Sequence, residues 1–201
     1  MSLRNTHRFT ALQGGKWWYG WLLCQTTIVV CATMSSGMVF ADSIEYRVKA
    51  AYLYQFTKFT EWPDKEFSDG KAPIRICVLG RNPFDKSLDE FSSKTSQNRT
   101  LVVEYLASFQ EISRCHVVFI SRSEEKYLSQ ILQLTEHSPV LTVSDMEGFA
   151  RRGGIIGLVI ERGKVRLEIN PEASNHAGVK LSSKLLEVAT LVQARRTKET
   201  P

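Results

Sequence analysis

The chain has 201 residues and a formal net charge of +5, but that charge is uneven: residues 1–41 hold three of the 26 basic side chains and none of the 21 acidic ones. Residues 42–201 are left with 23 basic against 21 acidic groups, and no basic run is interleaved with aromatics. That balance excludes a nucleic-acid surface.

The N-terminal stretch reads as a targeting segment. Arg4, Arg8 and Lys16 precede an apolar run from Trp17 to Val30, which Gln25, Thr26 and Thr27 interrupt. The run is short for a membrane span. Val39-Phe40-Ala41 has the small-x-small form of a cleavage site, so residues 1–41 are expected to be a secretory signal peptide cut after Ala41. Residues 42–201 then form one domain of ordinary size. Of four cysteines, Cys24 and Cys31 leave with the leader. Cys77 and Cys115 remain, either bridged in an oxidising compartment or buried as free thiols.

Asp42 and Ser43 are cap candidates for a helix from Ile44 to Thr60, with Val48, Tyr52, Phe56 and Phe59 at helical spacing. Trp62-Pro63 closes it. Ile74 to Leu79 is an apolar strand. Asn82-Pro83 predicts a helix through Phe91. Leu101 to Leu106 is a strand, and Phe109 to Ile112 a single helical turn. Cys115 to Ile120 is a strongly apolar strand. Ser121 or Ser123 caps the next helix, Ser121-x-x-Glu124 fitting a capping box, and its core face is expected to hold Tyr127 or Leu128, Ile131, Leu132 and Leu134. Pro139 to Val143 is another strand, and Ser144 or Asp145 caps a short helix that Gly153-Gly154 ends.

The segment from Gly153 to Val192 is the best patterned. A strand from Ile155 to Ile160 meets a turn at Arg162-Gly163, and a second strand places Val165, Leu167 and Ile169 on one face. The two-residue turn requires an antiparallel hairpin. A polar loop with Pro171, Asn175, His176 and Gly178 leads to a final helix carrying Leu181, Leu185, Val188 and Val192 on one stripe. The basic tail (Arg195, Arg196, Lys198) reads as a solvated helix end. Strands alternating with helices, several of them continuously apolar, give an α/β fold: a three-layer, mixed but mostly parallel sheet with flanking helices and a C-terminal hairpin.

No catalytic motif emerges. There is no glycine-rich nucleotide fingerprint, no HExxH, no CxxC and no GxSxG elbow. His116, His137 and His176 stand alone, so neither a metal nor a cofactor is expected, and the chain is not read as an enzyme. Two binding readings remain. In one, Arg81, Arg122 or His176 holds an anion or metabolite near the carboxyl ends of the strands. In the other, the hairpin edge and the loop after it dock a protein partner.

Five segments together resemble the YfiR family: EYRVKAAYLYQFTKFTEWP, IRICVLGRNPF, CHVVFIS, PVLTVSD and GGIIGLVIERGKVRLEINPEASNHAGVKLSSKLLEVATLV. They cover almost all of Tyr46 to Val192 in order. The resemblance implies a periplasmic inhibitor that binds the periplasmic domain of an inner-membrane diguanylate cyclase, lowering cyclic di-GMP and biofilm formation. It also implies sequestration by an outer-membrane lipoprotein and a disulfide between Cys77 and Cys115. Some members carry a second cysteine pair near Phe149 to Gly154, which this chain lacks. By position, the family's partner pocket transfers to Leu167, Ile169, Pro171, Val179 and Leu181, on what reads as an exposed hairpin and loop. A homodimer stays open.

Overall fold

A computed structural model describes residues 36–194. The chain divides into two compact units, 1–42 and 43–201. Residues 1–35 of the expected leader and the basic tail from Arg195 lie outside the described residues. Among the described residues no helix is long and apolar enough to cross a membrane.

The fold is mixed α/β, with an eight-stranded, mostly parallel sheet between helical layers and a separate antiparallel strand pair. Helix α1 (Ser36–Phe59) runs into β1 (Thr60–Glu61). The strands β2 (Ile74–Leu79), β4 (Arg99–Leu106), β5 (Val117–Ile120), β6 (Leu141–Ser144) and β7 (Ile156–Glu161) form the parallel core. Strand β3 (Thr95–Ser96) turns back against β4 at one edge. Strand β8 (Lys164–Ile169) pairs antiparallel with β7, through Arg162 (φ 51°) and Gly163 (φ 72°). Two consecutive left-handed residues are what the tightest hairpin turn needs, so the expected hairpin is present. The full order is β10-β8-β7-β6-β5-β2-β4-β3, where β10 is Thr190–Leu191.

Strand alternation divides the core into two layers. Ile74, Ile76 and Val78 of β2, Val117 and Phe119 of β5, and Leu141 and Val143 of β6 face Ala50, Leu53 and Phe56 of α1. The opposite face presents Cys77, Leu79, Val118 and Ile120 to Leu128 and Ile131 of α2 (Leu128–Thr135) and to Phe149. Gly154 is required beside that ring: a Cβ there would run into Phe149. Cys77 and Cys115 are bonded, with their Cα atoms 6.0 Å apart, on the α2 face.

Several helices differ from expectation. The predicted helix over Asn82–Phe91 is a series of turns with one 3-10 turn at Asp89–Phe91. Asn82 accepts a hydrogen bond from the Phe84 amide, and Asp85 adopts φ 49°, which breaks any helical run. Ser121 precedes the next helix but its side chain makes no cap bond, and the helix begins as a 3-10 segment, Arg122–Tyr127. The polar loop after β8 is helix α3 (Pro171–His176), with Asn170 accepting from the Ala173 amide and Pro171 in the first turn. The expected final helix is three pieces: β9 (Lys180–Leu181) paired with β1, helix α4 (Ser183–Glu187), and β10 beside β8. Strand edges capture its backbone: the Ser182 amide donates to Phe59 and the Val192 amide to Ile169.

His116, just before β5, is 5% exposed. Its Nδ1 accepts from the Arg75 amide at 3.0 Å, its ring stacks on Phe67, and its Nε2 has no partner. Burial, then the charges of Arg75 and Arg99, lower its pKa to about 4. An unfolded imidazole titrates near 6.5. Between those values the unfolded chain takes up a proton that the folded chain refuses. Stability is therefore full above about pH 6.5 and falls as pH drops toward 4, by up to about 3 kcal/mol. Urea melts across that range are expected to show the decline, flattened in His116→Gln. For the bridge, which closes a 38-residue separation, the variant Cys77→Ala/Cys115→Ala is expected to lose about 4 kcal/mol of unfolding free energy, and thiol labelling of the denatured wild type is expected to find neither cysteine free.

Candidate functional site

The hairpin and the loop after it were expected to expose a partner surface. The structure instead buries three of the five residues assigned to it. Leu167, Ile169 and Val179 are 4%, 0% and 1% exposed and belong to the core under α1. The cause is the sheet: Leu167 pairs with Leu158 and Ile169 with Ile156, on the apolar face that the helices cover. Only Pro171 and Leu181 keep partial exposure. Conversely, Val188, read as part of a core stripe, is 70% exposed, because the helix ends at Glu187. Leu191, on the two-residue edge strand β10, is 55% exposed.

The largest polar constellation lies elsewhere, at the carboxyl end of β6. Lys49 of α1 is fully buried. Its Nζ lies 2.6 Å from Asp145 Oδ2 and 2.5 Å from Glu45 Oε1. The Tyr46 hydroxyl donates to the same Asp145 oxygen at 2.8 Å. Arg122, after β5, approaches Asp145 Oδ1 at 3.3 Å and donates to its carbonyl at 3.1 Å. Burial, followed by the hydrogen bond to Asp145, pushes the Tyr46 phenol well above its ordinary pKa, so it stays a donor. Two cations and two anions thus balance locally, which a buried lysine requires. Beneath them Tyr46 meets Phe84 edge-on, and Phe84 meets Phe119.

The sequence offered Ser144 or Asp145 as the cap, and Ser144 takes the role: its hydroxyl accepts from the Met146 amide and donates to the Ile120 carbonyl. That leaves the Asp145 carboxylate free for Lys49. The sequence reading missed Lys49. It falls on the inward stripe with Leu53 and Phe56, at i, i+4 and i+7, and that spacing is the signal that could have found it.

Arg81, Arg122 and His176 do not converge on one ligand. Arg122 is committed to Asp145. Arg81 is exposed, and its backbone amide donates to the Ser123 hydroxyl. His176 lies 3.8 Å from Glu136 and lines an open cleft of about 400 Å3 between α2 and α3, together with Leu132, Thr142 and Ile155. Neither arginine lines that cleft. Among the described residues no three His, Cys, Asp or Glu side chains gather into a metal cage.

The model of the YfiR/HmsC-like family matches residues 46–190. The chain belongs to this family. It is known as a family of periplasmic regulators of diguanylate cyclases. A search of curated proteins finds no match. The matched span includes Lys49, Arg122 and Asp145, so the charge cluster lies almost wholly inside the family domain.

Removing one member of a buried ion pair strands the other. Asp145→Ala is expected to cost about 3 kcal/mol or more in urea unfolding, and Lys49→Met/Asp145→Leu to cost less than the single change.

Proposed function

We propose that this protein works in the periplasm as a repressor that binds the periplasmic domain of a membrane-bound diguanylate cyclase and holds the enzyme inactive. Cyclic di-GMP and biofilm formation fall as a result. The observation that carries this reading is family membership across residues 46–190. Export by a leader spanning residues 1–41, cut after Ala41, belongs to the same proposal, as does relief of repression when an outer-membrane lipoprotein captures the repressor.

The contact surface on this reading differs from the transferred pocket. Leu167, Ile169 and Val179 are sealed, so a partner reaches the C-terminal unit through Pro171 and Leu181, and through Val188 and Leu191, which face solvent. Large apolar side chains held in water by a stable scaffold gain most when a partner dehydrates them. A small-ligand role gains no comparable support, because the three candidate cationic residues are dispersed.

The test is calorimetric titration against the periplasmic domain of a co-encoded GGDEF protein. Val188→Asp and Leu191→Asp are each expected to weaken binding about tenfold or more, with melting temperatures essentially unchanged. Failure of the wild-type protein to bind that domain would sink the reading, and full binding by both variants would move the contact surface elsewhere.

A further inference from the structure

The β7–β8 hairpin runs past the end of the strand beside it. Gly157 is level with Ser144, the last residue of β6, so Leu158 to Glu161 continue beyond that strand. Four residues at about 3.3 Å each carry the hairpin tip on the order of 13 Å past the end of β6. Burial falls away along the same stretch. Gly157 and Leu158 are buried, Val159 is half-buried, and Ile160 is 47% exposed. Val165, which pairs with Ile160, is half-buried, and every other residue from Glu161 to Arg166 is exposed.

The tip is basic. Arg162, Lys164 and Arg166 stand against one acid, Glu161. None of the three cations lies within ion-pair distance of a carboxylate among the described residues. Arg162 takes the first left-handed position of the turn, at φ 51°, where Asn or Gly is the usual occupant, so a cation sits on the turn itself. The contact between Lys49 and Asp145 brings the start of α1 to this same end of the sheet. There Ile44 is 59% exposed, and Arg47 is exposed and likewise unpaired. Of the acids nearby, Glu45 and Asp145 are engaged by Lys49 and Arg122. Glu147, in the turn after β6, is exposed and joins Glu161 as a free carboxylate at this end. On the hairpin, the α1 start and that turn, unpaired cations therefore outnumber unpaired acids.

We propose that the hairpin tip and the start of α1 form a docking surface for an anionic membrane, with Arg162, Lys164 and Arg166 among the lipid phosphates and Ile160 at the headgroup boundary. Long cations beside an exposed isoleucine are the composition that holds a protein on a charged bilayer: the phosphates take the charge and the interface takes the apolar side chain. The tip carries no aromatic ring on which a base could stack, which disfavours a nucleic acid. A folded protein would need a preformed acidic hollow to receive a projecting hairpin, whereas mobile headgroups rearrange around it. The surface is separate from Val188 and Leu191, because β10 pairs with the other end of β8. It does not rest on the cyclase contact, and lipid binding is measured without any cyclase.

Protein purified from the periplasm, as the cell processes it, is mixed with large vesicles, and the bound fraction is read by co-sedimentation. Vesicles of phosphatidylglycerol and phosphatidylcholine in equal parts are expected to bind it, and vesicles of phosphatidylcholine alone are not. Binding is expected to fall at least about tenfold between about 0.15 M and about 1 M salt, as the screening length shrinks from about 8 to about 3 Å. Lys164→Glu/Arg166→Glu is expected to weaken binding about tenfold or more, and Ile160→Ser about fivefold. Lys58→Glu/Lys184→Glu makes the same change in net charge at the opposite end of the sheet, near Trp62 and β9, and is expected to bind like the wild type. Thermal melts establish that each variant is folded under the binding conditions. Equal binding to both kinds of vesicle overturns the proposal, as does binding to neither. So does either folded hairpin variant that binds like the wild type, or a charge change at the opposite end that costs as much as the one on the hairpin.

Discussion

The buried contact between Lys49 and Asp145 sets how α1 lies on the sheet. A fully desolvated ammonium is intolerable without anions, so the helix must place Lys49 against the carboxylate at the end of β6 and nowhere else. A slide of one turn would strand both charges. Apolar packing of Ala50, Leu53 and Phe56 supplies the driving force but tolerates small shifts. The ion pair removes that tolerance. Its contribution is therefore to specify one arrangement, and less to add net stability. Arg122 and Tyr46 complete the shell, so the loop after β5, the loop after β6 and the helix are fixed by one carboxylate.

The longer strands, β2 and β4 to β8, were legible because most are short, apolar and bounded by turn residues, whereas the two-residue strands β1 and β3 carry no such pattern. The hairpin was legible because Arg162-Gly163 admits few other conformations. Helix α3 was read as a loop from its polar composition, although Asn170 followed by Pro171 is a cap followed by a favoured first residue and could have announced it. The end of the chain was not legible. Leu181, Leu185, Val188 and Val192 fit one helical stripe, and only distant partners divide them. The edge of β1, far earlier in the chain, captures Leu181, and the edge of β8 captures Leu191. Local spacing carries no trace of an edge supplied from elsewhere.

The candidate site shows the same division. Three of the five residues transferred by position from the family's pocket, Leu167, Ile169 and Val179, are core, because a pattern strong enough to recognise is the pattern of burial. Leu167 and Ile169 alternate inward for that reason. The apolar residues that keep the most exposure in this region are the ones that break the pattern: Val188, just past the end of α4, and Leu191, on a two-residue edge strand. Lys49 is the converse case, a charged residue on an inward stripe whose partner could not be named until β6 and α1 were seen together.

The pairing of β1 with β9 and of β8 with β10 has a temporal meaning. Thr60 meets Leu181 only after almost the whole domain has been made. A chain emerging from the ribosome or a translocation channel thus lacks the strands that close α1 onto the sheet until its last stretch is free. Contacts of such long sequence separation form slowly. The domain is therefore expected to close last at the pairings that join the segment after α3 to strands made much earlier.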